Sequence, residues 1–93
     1  MSAILQSFEQ ALSREDLIRA TSRIVEQKLR TEPLPLMELA GMRIESLDDI
    51  ESWIDRIGRA IASAPLIGSI EEERAHRLLS YLLIASIRAR QLS

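Results

Sequence analysis

The chain has 93 residues, 46% of them hydrophobic and 28% charged, with a net charge of −2 and no cysteine. That length supports one thin-cored domain, and the composition is too apolar for a disordered chain. No strong global field exists to draw nucleic acid or an acidic membrane, and the missing cysteine excludes disulfides, zinc–thiolate sites, iron–sulfur clusters and cysteine catalysis.

The first predicted element runs from Ala3 to Leu12, with Ile4, Leu5, Phe8, Ala11 and Leu12 at helical spacing. Ser13 interrupts it as an N-cap, and Glu15 and Asp16 follow in a first turn where negative charge suits the helix dipole. A second helix is expected from Arg14 to about Arg30. Its apolar face is Leu17, Ile18, Thr21, Ile24, Val25 and Leu29. Glu15–Arg19 and Glu26–Arg30 are expected i,i+4 pairs.

Pro33 and Pro35 stop that helix and open a connector over residues 31–45. Pro35 can begin a short fifth helix ending near Gly41. Leu34, Leu36, Met37, Leu39, Met42 and Ile44 make this connector a lid that closes one end of the core. The competing use for those side chains is a docking groove.

A third helix starts at Ser46, with Asp49 completing a weak capping box. Leu47, Ile50, Ile54, Ile57 and Ile61 form a 3-4-3-4 seam, and Trp53 beside it reads as core. Gly58 costs about 1 kcal/mol in a helix interior, which points to close approach by another helix. Pro65 is expected to end the helix. Gly68 and Ser69 then start the last one after a loop of about five residues, giving an antiparallel hairpin.

The last helix is apolar on more than one side. At about 100° per residue, Ala75, Leu78, Leu79, Leu82, Ala85 and Ala89 share a face, while Ile84 points the opposite way. Tyr81, Leu83, Ile84 and Ile87 are therefore surplus to one core face and form the candidate interface.

One motif could carry metal chemistry. Glu73 and His76 form Glu-x-x-His, the spacing used by carboxylate-bridged di-iron bundles. With a single His in the chain, such a site requires a dimer, with Glu9, Glu26 or Glu51 as outer ligands. The competing account is that Glu71, Glu72 and Glu73 stabilise a helix start and His76 lies on the surface. Gly-rich phosphate loops and a nucleophile elbow are absent, so no enzyme activity is expected.

A nucleic-acid face would draw on Arg14, Arg19, Arg23, Arg74, Arg77, Arg88 and Arg90. Acidic residues accompany most of these, and Phe8, Trp53 and Tyr81 are too dispersed for a stacking platform.

The expected protein is all-α and a single domain over residues 1–93. It is a small bundle of four main helices with a C-terminal antiparallel hairpin, its last helix central. The expected role is a non-catalytic protein–protein interaction module, a homodimer or a small adaptor subunit, with no cofactor or small-molecule substrate. The start of the chain lacks a basic segment before an apolar run, and no apolar stretch is long enough to span a bilayer. A cytoplasmic location without membrane contact is the expectation. A DNA-binding regulator and a dimeric di-iron bundle are the alternatives.

Overall fold

The computed structural model describes residues 3–37, 39, 43–63 and 68–92, except for the side chains of Ala3, Leu5 and Leu36. Four α-helices account for most of it: α1 (Ala3–Gln10), α2 (Arg14–Thr31), α3 (Leu47–Ile61) and α4 (Ile70–Gln91). One 3-10 turn, Pro35–Met37, lies in the connector, and no strand occurs among the described residues.

Local chemistry starts the last three helices in the same way. Ser13, Ser46 and Ser69 are extended N-caps whose hydroxyls accept the backbone N–H of Asp16, Asp49 and Glu72. Each bond satisfies a donor that the first helical turn leaves without a partner. Asp49 and Glu72 reach back one residue further than a capping box requires. They accept the N–H groups of Glu45 and Gly68, each at 2.9 Å. Gly68 has φ +76, a left-handed conformation that suits glycine.

The core has two parts, joined by α4. One gathers Val25 from α2, Leu34, Met37 and Ile44 from the connector, Ile50, Trp53 and Ile57 from α3, and Ala75, Leu78 and Leu82 from α4. The other packs Phe8, Ala11 and Leu17 against Ala85 and Ala89. The two alanines leave α4 slim at this end, and the Phe8 ring fills the space. α4 packs against α1, α2 and α3 and is the central helix. Arg90 near the end of α4 pairs with Glu51 near the start of α3, so the two helices run antiparallel.

Several expectations change in detail. α1 ends at Gln10, and Leu12, assigned to its apolar face, is 87% exposed. The chain must turn at 11–13 to present Ser13 as a cap, which leaves Leu12 outside. Arg19 bonds Asp16 at 2.9 Å, one turn position nearer than Glu15, whereas Arg30 bonds Glu26 as expected. α3 stops at Ile61, four residues before Pro65. Ala62 and Ser63 close its end by donating to Gly58 and Ala60. A Cβ on Gly58 would meet nothing within 4 Å, so no helix approaches closely there.

The lid reading of the connector holds at Leu34, Met37 and Ile44, which are buried in the larger cluster, with Leu39 packed against it. The short fifth helix is a single 3-10 turn closed by Met37 N–H to the Leu34 carbonyl. Its expected continuation toward Gly41, and most of the loop from 64 to 68, lie outside the described residues.

Candidate functional site

Burial sorts α4 into sectors. Ala75, Leu78, Leu82, Ala85, Ser86 and Ala89 face the core. On one flank Leu79 packs on the larger cluster and Arg90 pairs with Glu51 of α3. On the other flank Arg77 bonds Glu32 at 3.1 Å, and the Lys28 ammonium lies 5.7 Å from the Tyr81 ring centroid. Further along that flank the Arg88 guanidinium donates to the carbonyls of Phe8, Glu9 and Ala11. These bonds satisfy acceptors at the C-terminal end of α1, where positive charge is stabilising.

Between the flanks lies a sector that the chain's own helices leave uncovered. Leu83 is 43%, Ile84 38% and Ile87 59% exposed. Three of the four sequence-selected interface residues thus come together on one exposed strip. Tyr81 is separated from them: it is half-buried, packs against the Phe8–Leu17 cluster and lies on the α2 flank.

The strip continues toward the start of α4 through Ser80, His76 and Glu73, all exposed. Two of these positions, Glu73 and His76, are the Glu-x-x-His motif of the sequence. The shared signal is their spacing, since residues 73, 76, 80, 83, 87 and 90 recur at 3-4-3-4 intervals along one line of the helix.

Within one chain the Glu-x-x-His motif stands by itself. The His76 Nε2 lies 4.0 Å from Glu72, and the side chain is exposed. Glu26 and Glu51, two of the outer carboxylates considered, are held by Arg30 and Arg90. No group of three His, Asp or Glu side chains converges among the described residues.

The arginines are mostly spoken for. Arg14 donates to the Ala89 carbonyl at 3.0 Å and Arg74 to the Pro33 carbonyl at 3.3 Å, so both tie α4 to other elements. Arg19, Arg77, Arg88 and Arg90 have the partners given above. An open groove of about 1010 Å³ runs beside α2, where Arg14, Arg19 and Arg23 alternate with Glu15, Asp16 and Glu45. Its charges are mixed, and no basic face forms along it.

Trp53 is buried beside the Ile50–Ile57 seam, with its indole N–H donating to the Arg43 carbonyl at 3.2 Å and the Arg56 guanidinium over its ring. It is a core side chain with its polar atom satisfied. No described helix is long and apolar enough to cross a membrane. Comparison with protein-family models, characterised proteins and solved structures finds no match for this chain.

Proposed function

We propose that this protein is a non-catalytic helical interaction module that engages another polypeptide through the uncovered face of α4. One observation carries the reading: Leu83, Ile84 and Ile87 are adjacent and exposed on a helix whose other sides are packed. Water against such a strip is restricted in orientation, and burying the strip is favourable in proportion to its apolar area.

Magnitudes limit what the strip does alone. Covering the exposed parts of these three side chains is worth roughly 2–4 kcal/mol, against at least about 4 kcal/mol for association. The strip is therefore the apolar centre of a larger contact. The partner brings apolar surface of its own, and Glu73, His76 and Ser80 supply a polar extension. A nucleic-acid reading receives less support, because six of its seven arginines already serve contacts within the chain.

Ile84→Asp and Ile87→Asp test the reading. Each should keep the helical circular-dichroism signal and match the urea midpoint of the parent at dilutions where it is unassociated, within about 0.5 kcal/mol. Each should also abolish association measured by light scattering. Unfolding of Ile84→Asp would place Ile84 in the core and end the proposal.

A further inference from the structure

We infer that the partner of the α4 face is a second copy of this chain, docked as an antiparallel α4–α4 pair. This inference rests on the interaction reading above and adds the occupant and its register. The line Glu73, His76, Ser80, Leu83, Ile87 and Arg90 is exposed along its whole length. Its 3-4-3-4 spacing matches the seam of a left-handed two-helix coil, in which the two kinds of seam position face each other when the helices run antiparallel.

Applied to this line, a two-fold axis between residues 81 and 82 pairs position 80 with 83, 76 with 87 and 73 with 90. The line is then complementary to itself. The acidic end of one helix meets the basic end of the other, so Glu73 faces Arg90 twice in each dimer. Leu83 of one copy covers Ser80 of the other and Ile87 covers the His76 ring, with Ile84 flanking. A parallel pair would place Glu73 on Glu73 and Arg90 on Arg90.

The groups needed for the charge pairs are accessible. Glu73 is exposed and has no ionic partner among the described residues. The Arg90 side chain keeps 66% of its exposure while pairing with Glu51, which leaves guanidinium N–H groups to share. At about 1.5 Å per residue, the 22 residues of α4 span about 33 Å. The α3 helix lies on one flank and α1 and α2 on the other, so the docked helix enters the uncovered sector between them.

A charge-swap experiment on the full chain decides the matter. Sedimentation equilibrium across a concentration series should show a monomer–dimer equilibrium for the parent. Glu73→Arg alone and Arg90→Glu alone should each weaken self-association by roughly tenfold or more, because two opposite-charge pairs become two like-charge pairs. An equimolar mixture of the two variants should restore dimers, since every pair in the mixed species is again opposite in sign.

A parent chain that stays monomeric up to about 1 mM overturns the second copy as occupant. It leaves the interaction reading standing if Ile84→Asp remains folded. A parent dimer whose affinity ignores both variants, or variants that fail to recombine, overturns the antiparallel register. Unfolding of Ile84→Asp overturns both readings together.

Discussion

Gly58 sits inside α3 with open space where a side chain would be. Glycine costs a helix about 1 kcal/mol relative to alanine, and nothing here offsets that cost by a close contact. Gly58→Ala should raise stability by about 0.5–1 kcal/mol in urea unfolding, and a loss would show that a neighbour needs the space. The serine caps work in the other direction. Ser46→Ala removes an acceptor for the Asp49 N–H and should cost about 1 kcal/mol. Ile57 is completely buried, so Ile57→Ala should cost about 2–5 kcal/mol. A change of that size at Ile87 would contradict the exposed face, which makes the two substitutions a matched pair.

At the scale of elements, α1 is the piece least able to stand alone. Eight residues are too few for a helix in water, so α1 exists because it docks. Phe8 and Arg88 hold it, one by burial and the other by reaching the carbonyls at its end. Arg88→Ala should leave α3 and α4 protected in hydrogen exchange while α1 amides exchange faster. Equal acceleration in all four helices would show that α1 belongs to the same cooperative unit.

Much of this was legible from spacing. Leu17, Thr21 and Val25 on α2, Ile50 and Ile57 on α3, and Ala75, Leu78 and Leu82 on α4 are buried where periodicity placed them. The serine signals located three helix starts. Periodicity could not say which chain end turns first, so Leu12 was assigned inward. Nor could it say which neighbour flanks each side of α4, so Tyr81 was grouped with Ile84 and Ile87. Arg88 was read as a charge suited to its own helix end. Its bonds to α1 depend on a contact between residues about eighty positions apart, which no local pattern encodes.

At the scale of the molecule, α4 sets the shape. Its length of about 33 Å fits only along the longest dimension of the 39 × 27 × 20 Å body. The helix touches every other helix and still has one side left over. A chain of this size gains little from its own core, and the proposed pairing of two copies would add a second buried layer.

The chain has no cysteine, so introduced thiols report proximity without interference. The most direct measurement mixes a Ser80→Cys chain with a Leu83→Cys chain under mild oxidation, with Glu15→Cys on the exposed side of α2 as the reference. The account predicts rapid covalent dimers linking position 80 of one copy to position 83 of the other, and slow linkage at position 15. Linkage at 80 and 83 no faster than at 15 would contradict it.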